Sequence, residues 1–186
     1  MRFFIALEVP ENSRQELTQL QQALKKLIPE ARLTDNDKLH ITIAFIGEQP
    51  DTLKDSLIKI LKDAALGIKA FEVTPAYFDG FPVIHNPHTL WVGVKGDVDK
   101  LIIITERIRD GLSDLGLPVD QRRFVPHIAI AKTSNFHLSD STEQQLQVLI
   151  SKPLSPITVS SIKLFESVAD EGFHKHNTLA EIPLEG

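Results

Sequence analysis

No cysteine occurs in the chain, which excludes disulfides, thiolate nucleophiles and thiolate metal sites and fits a cytoplasmic protein. No apolar run approaches the roughly 18 residues that span a bilayer. Phe3-Phe4-Ile5-Ala6-Leu7 is too short for the apolar part of a signal peptide, and Glu8 follows it at once, so no membrane association is expected. Positive charge is in deficit, with 20 Lys and Arg against 25 Asp and Glu and a net charge of −5. That balance argues against bulk, non-specific nucleic-acid binding, although it leaves room for a local basic pocket that takes one nucleic-acid end. Low-complexity tracts and flexible linkers are also missing. What remains, 42% hydrophobic and 24% charged residues in 186, suffices for a sizeable core in one domain or two small lobes.

Two short apolar runs stand out. Leu39-His40-Ile41-Thr42-Ile43-Ala44-Phe45-Ile46 has an echo 87 positions later in Pro126-His127-Ile128-Ala129-Ile130-Ala131. Both are rich in β-branched residues and carry a histidine at the same place. On a strand, residues two apart share a face. His40 and Thr42 therefore point one way and Ile41 and Ile43 the other. His127 and Ala129 likewise oppose Ile128 and Ile130.

The rest of the chain arranges itself around these runs. Patterning predicts strands over 2–9, 31–34, 69–78, 89–94, 157–165 and 178–182, with the second histidine strand spanning 123–131. Helical stripes predict helices over 13–28 (capped by Asn12 or Ser13), 50–66, 98–115 and, from Ser139 or Ser141, to 151. Loops are expected at 35–37 and 79–87. Each half thus reads β-α-β(His)-α-β, with the histidine strands in matching slots. The expectation is an α+β protein, residues 1–186, with two sheet-bearing lobes facing a central cleft and helices outside.

Two imidazoles facing one cleft form an acid–base pair, since histidine titrates near pH 6.5. In-line displacement at phosphorus needs one proton taken from a nucleophile and another given to a leaving oxygen, from opposite sides. Thr42, on the His40 face about 6–7 Å along the strand, is a candidate phosphate ligand. Lys132 and Arg123 are candidate phosphate or backbone contacts near the second run, with Arg122 beside them. Phe124 is the candidate for base stacking, with Phe81 and Phe136 behind it, while Trp91, inside an apolar strand, is expected in the core. His85, His88, His174 and His176 are expected on loops at the substrate rim and His137 on the surface. No metal site is expected, because Pro87 interrupts the His85–His88 spacing.

The run His40-Ile41-Thr42-Ile43, followed by Ala44-Phe45-Ile46-Gly47, resembles the first H-x-T-x motif of the two-histidine phosphoesterases. The nearest likeness is to the bacterial and archaeal RNA 2′,3′-cyclic phosphodiesterases, also called 2′-5′ RNA ligases. Supporting pieces run the length of the chain: Arg2-Phe3-Phe4-Ile5-Ala6-Leu7, Phe81-Pro82, Leu90-Trp91-Val92-Gly93 and Arg123-Phe124-Val125-Pro126-His127. The resemblance implies a bilobal, pseudo-twofold fold with two antiparallel sheets and no cofactor. It implies hydrolysis of a 2′,3′-cyclic phosphate on RNA ends, tRNA fragments among them, to a 2′-phosphomonoester, with reversible 2′-5′ joining by the same groups. By the family pattern His40 gives a proton to the departing 3′ oxygen, His127 activates water, and Thr42 binds the phosphate. A monomer is expected.

The second motif departs from that pattern. It reads His127-Ile128-Ala129-Ile130, with alanine where the family has its second threonine. Thr133 lies about 13 Å farther along an extended strand and cannot replace it. A lost hydrogen bond to a charged group is worth roughly 1.5–3 kcal/mol. Lys132 stands where many relatives carry arginine and lacks the bidentate fork. Two alternatives stay open: a non-catalytic module that binds RNA ends, favoured by Ala129, and the same chemistry on a small cyclic nucleotide or a 2′-5′ oligonucleotide.

Overall fold

The computed structural model describes residues 1–170 and 172–186. Strand β1 (Arg2–Glu8) buries five consecutive residues between exposed ends, as a strand covered on both faces does. Pro10 follows, and α1 (Glu11–Leu27) packs Leu17, Leu20 and Leu24 inward. The helix starts ahead of the point where Asn12 or Ser13 would cap it; no side chain caps it, and Ser13 is buried. After β2 (Arg32–Leu33) come β3 (His40–Glu48), α2 (Lys54–Ala65), β4 (Phe71–Phe81), β5 (Thr89–Gly96) and α3 (Val98–Asp114). Then follow β6 (His127–Lys132), α4 (Asp140–Leu149), β7 (Ile157–Val159), β8 (Ser161–Asp170) and β9 (Phe173–Pro183). Ser139 caps α4 as expected, its hydroxyl accepting from the Thr142 amide at 3.1 Å.

Several expected boundaries move; the last strand starts at Phe173 rather than Thr178, and β8 runs on to Asp170. The second histidine strand begins at His127 rather than Arg123, since Pro126 offers no N–H to a ladder. Asp79-Gly80-Phe81 continue β4 instead of opening a loop, held by pairing with Thr89–Trp91 of β5. The expected strand 157–165 is two strands broken at Ser160, and they pair with different neighbours: β7 with β4, β8 with β1.

That break exposes the plan of the molecule. The strand order is β7-β4-β5-β6-β3-β1-β8-β9, all antiparallel, with β2 added beside β6. One lobe contains β3, β1, β8 and β9, backed by α2 and α3; the other contains β7, β4, β5 and β6, backed by α1 and α4. The two expected sheets are thus halves of one curled sheet, joined where Ile41 of β3 pairs with Ile128 of β6. Neither lobe is one half of the sequence. The helix after each half's first strand packs on the other lobe, α1 against β6 and α3 against β3. Likewise β4 pairs with β5, and β8 with β1. The apolar core lies between sheet and helices, with Phe3, Ile5, Leu7, Ile41, Ile43, Val92, Ile128 and Ile130 facing it.

Candidate active site

The Ile41–Ile128 pair sits at the seam of the two lobes. Carried one residue to either side, its antiparallel register sets His40 across from Ala129 and Thr42 across from His127, all on the face away from the helices. Directly opposed residues have Cβ atoms roughly 5 Å apart. His40, Thr42, His127 and Ala129 are half-buried there, between the fully buried Ile41 and Ile128.

Each imidazole stands in an aromatic wall. Phe4 stacks on His40 with ring centroids 5.4 Å apart, and Phe165 stacks on Phe4 at 5.0 Å. His127 meets Phe81 edge-on at 5.0 Å and Trp91 at 5.2 Å. Tyr77 supports Trp91 at 6.0 Å. Gly93, register partner of His127, leaves the space that the Tyr77 ring fills; a Cβ there would overlap that ring. Phe4 and Trp91 are buried, yet both belong to this wall rather than to the apolar core. The expected core position of Trp91 is therefore corrected: odd-numbered residues of β5 face the cleft.

Burial, then the neighbouring His176 and His127, push His40 down to about 4. Burial also lowers His127, against an opposing hydrogen bond to the Val125 carbonyl. That bond, 2.7 Å from Nδ1, decides the tautomer, because a carbonyl oxygen can only accept. Nδ1 carries the proton, and Nε2 is left with a lone pair.

Lys132 reaches the cleft face by a bulge. Leu90 pairs with Ala131 and Trp91 with Ala129, so Ile130 is an extra residue in β6 and the alternation shifts by one. Lys132 is exposed and pairs in register with Arg32 on one side and Thr89 on the other. Arg123 and Phe124 are elsewhere. They line a cavity of about 320 Å³ against α3, with Ile102, Arg109 and Arg122. Phe124 packs on the core with the Arg109 guanidinium 6.0 Å from its ring, and no residue of that cavity belongs to the histidine face. Thr133 is buried, and its hydroxyl is engaged by the Pro87 carbonyl, to which it donates at 2.6 Å. His85 and His88 lie on the loop between β4 and β5, whereas His174 and His176 are in strand β9. Among the described residues, no three His, Asp or Glu are grouped to hold a metal ion.

Sequence patterning missed two cleft residues, Phe45 and Arg32, and set a third, His176, on a loop at the rim rather than on a strand beside His40. Phe45 is 78% exposed beside Phe4, because the extra residue Ile43 shifts β3 as Ile130 shifts β6. His176 stands 5.6 Å from His40. Arg32 joins Lys132 across β2 and β6. The available signal for Phe45 was its position in the repeat: it stands five residues after His40, as the candidate Lys132 stands five residues after His127.

The fold matches solved structures over its whole length. TT0787 of Thermus thermophilus superposes with a TM-score of 0.81 at 19% identity, covering 100% of this chain and 99% of that one. Escherichia coli LigT complexed with 3′-AMP gives 0.78 at 21% identity, covering 98% and 97%. Among sequences, a Thermotoga maritima protein named RNA 2′,3′-cyclic phosphodiesterase is 26% identical over 186 residues, 100% of this chain and 97% of the relative. A Methanocaldococcus jannaschii protein of the same name is 25% identical over 167 residues, 90% of this chain and 91% of the relative. Residues 9–171 match the description of the 2′-5′ RNA ligase superfamily, a span that includes both histidine strands, and the chain belongs to that family.

Proposed function

We propose that the chain is an RNA 2′,3′-cyclic phosphodiesterase with His40 and His127 as its acid–base pair. The observation that carries the reading is the seam itself: two imidazoles and one hydroxyl on one face of two paired strands. The relatives' shared name supports the substrate, an RNA end bearing a cyclic phosphate.

His127 Nε2, left basic by the Val125 bond, takes a proton from water as its oxygen attacks phosphorus. The bond from phosphorus to the 3′ oxygen breaks, and the departing oxygen takes the proton of the His40 imidazolium. The products are a 2′-phosphomonoester and a free 3′-hydroxyl. With a 5′-hydroxyl of RNA replacing water, the same steps form a 2′-5′ linkage. In the empty cleft His40 is neutral near pH 7, so the bound phosphodiester anion supplies the opposite charge that favours its protonation. Thr42 donates to a non-bridging oxygen, and Lys132 with Arg32 supplies positive charge at the rim. Arg123 and Phe124 line the cavity against α3, which argues against the phosphate and stacking roles expected of them. Phe45 offers the aromatic face for a base instead; Phe45→Ala should raise KM on an RNA end about 5- to 100-fold with little change in kcat.

The test is product analysis on a short RNA ending in a 2′,3′-cyclic phosphate, with EDTA present. The parent should yield a 2′-phosphate, and His40→Ala and His127→Ala should each lose about 10²–10⁴-fold in rate. Tight binding by the parent without turnover would instead favour a non-catalytic RNA-end-binding module, the reading that Ala129 supports.

A further inference from the structure

In-line displacement sets the attacking and departing oxygens on opposite sides of phosphorus. With His40 at the departing 3′ oxygen, the RNA that carries the cyclic phosphate lies on the side of β3, β1 and β8. The attacking oxygen lies on the side of His127. A cleft that serves water alone needs no strand-binding surface there, whereas a 5′-hydroxyl brings an RNA strand with it.

One register row crosses the cleft face of the His127 lobe. Phe81 of β4 pairs with Thr89 of β5, Thr89 with Lys132 of β6, and Lys132 with Arg32 of β2. Directly paired residues share a face, so all four side chains start on the face that carries His127. With strands about 4.8 Å apart, the row is about 14 Å long. Phe81 is 37% exposed, and its ring leans back along the sheet to lie 4.8 Å from Trp91 and 5.0 Å from His127. Lys132 and Arg32 are exposed, and neither is ion-paired among the described residues. Like charges directly opposite each other weaken strand pairing. Two such cations with no carboxylate between them, in a chain of net charge −5, mark a place that an anion completes.

The matching row of the first lobe has a different chemistry. Phe45 occupies the slot of Lys132; it pairs with Phe4, Phe4 with Phe165, and Phe165 with Thr178. That row is three phenyl rings and a hydroxyl, without charge. An aromatic face beside two cations is the combination that holds single-stranded RNA, with a base on the ring and the backbone on the charges.

We propose that the row of Phe81, Thr89, Lys132 and Arg32 binds the RNA strand whose 5′-hydroxyl replaces water. Phe81 stacks on the first base of that strand, and Lys132 with Arg32 holds its first phosphate. The inference rests on the phosphodiesterase reading of the cleft. It gives each lobe one strand: the cyclic-phosphate end on β3, β1 and β8, and the 5′-hydroxyl end on β4, β5 and β6. In joining, the 5′ oxygen bonds to phosphorus and gives its proton to His127 Nε2. The bond from phosphorus to the 3′ oxygen breaks, and that oxygen takes the proton of the His40 imidazolium.

The test separates joining from hydrolysis. A short RNA ending in a 2′,3′-cyclic phosphate is supplied in excess, with adenosine or adenylyl-adenosine as the 5′-hydroxyl partner; the dinucleotide adds one phosphate. The 2′-5′ product and the 2′-phosphate are counted in the same reaction. The parent should use the dinucleotide about 10-fold better than adenosine. Arg32→Gln should erase most of that gain. Phe81→Leu keeps an apolar side chain against Trp91 and should raise KM for both partners about 5- to 100-fold. The ratio of joining to hydrolysis should fall in both variants. Ratios equal to the parent's would overturn the proposal, because the row would then serve the cyclic-phosphate strand or only pack His127. Calorimetry with adenylyl-adenosine is the second readout: both variants should weaken its binding, and no binding by the parent, or equal binding by parent and variants, would also overturn it. Failure of the phosphodiesterase reading would show separately, as a cyclic phosphate left intact by the parent; the calorimetry then still decides the row.

Discussion

At the residue scale, burial holds both His40 and His127 neutral, which suits His127 as the base and works against His40 as the acid. The consequence is a pH dependence that differs between the free and the loaded cleft. The profile of kcat/KM reports the free enzyme, and that of kcat the complex. The optimum of kcat/KM should fall in the acidic range, and that of kcat at higher pH, because a bound anion favours the His40 imidazolium. The values measured belong to the interacting histidines together rather than to one ring. Folding stability carries the same signature. His40 titrates near 6.5 unfolded and at about 4 folded. Above 6.5 neither state holds the proton; below it the unfolded chain takes it up first. Stability should therefore decline as pH falls from about 6.5 to 4, with His40 contributing up to roughly 3 kcal/mol of that decline. Urea midpoints at pH 7.5 and 4.5 check this: His40→Asn should lose less between the two than the parent. Equal losses would mean that burial does not depress His40.

At the element scale, strict alternation made His40, Thr42, His127 and Ala129 legible and then stopped working. Both histidine strands insert an extra residue three positions after the histidine, Ile43 and Ile130. Each bulge turns the residue five positions after the histidine, Phe45 or Lys132, onto the cleft face. A bulge is decided by cross-strand register, so nothing local to Ile-Ala-Phe or Ile-Ala-Lys announces it. Trp91 was misread for a related reason: β5 is buried on both faces, and hydrophobicity cannot tell core from cleft wall. The second bulge has its own support. The Ile130 carbonyl accepts from the Gln21 side chain at 2.9 Å and from the Thr34 amide at 2.8 Å. Gln21 is buried and also donates to the Thr34 carbonyl, which ties α1 to β2 and β6. Gln21→Leu strips one bond from a buried carbonyl and should cost about 1–3 kcal/mol by urea unfolding. It should also reduce kcat/KM by loosening the strand that carries Lys132. A stable variant with unchanged activity would show that the bulge holds without Gln21.

At the scale of the whole molecule, the repeat was legible but its wiring was not. Two β-α-β-α-β passages suggest two lobes made from two halves, and each lobe in fact borrows from both. The Ser160 break carries the chain from one lobe to the other, yet Ile157–Val159 and Ile162–Phe165 have equal strand propensity, and propensity does not choose partners. His176, expected on a loop at the substrate rim, was misplaced for the same reason, since only the β8–β9 pairing and the curl bring it to His40 on a strand. The wiring has an energetic consequence. If β1 and β3 leave one lobe, α1 leaves the other; if β5 and β6 leave, α3 goes with them. No lobe keeps its core when the other unfolds, and we propose that residues 1–186 form one folding unit. Two probes test it. Trp91, the single tryptophan, reports the lobe of β4, β5 and β6. Because the chain has no cysteine, Val168→Cys on the partly exposed face of β8 places one fluorescent label on the other lobe. The two urea transitions should share one midpoint and one slope, as in two-state unfolding. Separate midpoints would mean that the lobes unfold independently despite their exchanged elements. A shared midpoint would make the seam of Ile41 and Ile128 as stable as the molecule, and the histidine pair it carries would keep its geometry until the whole chain unfolds.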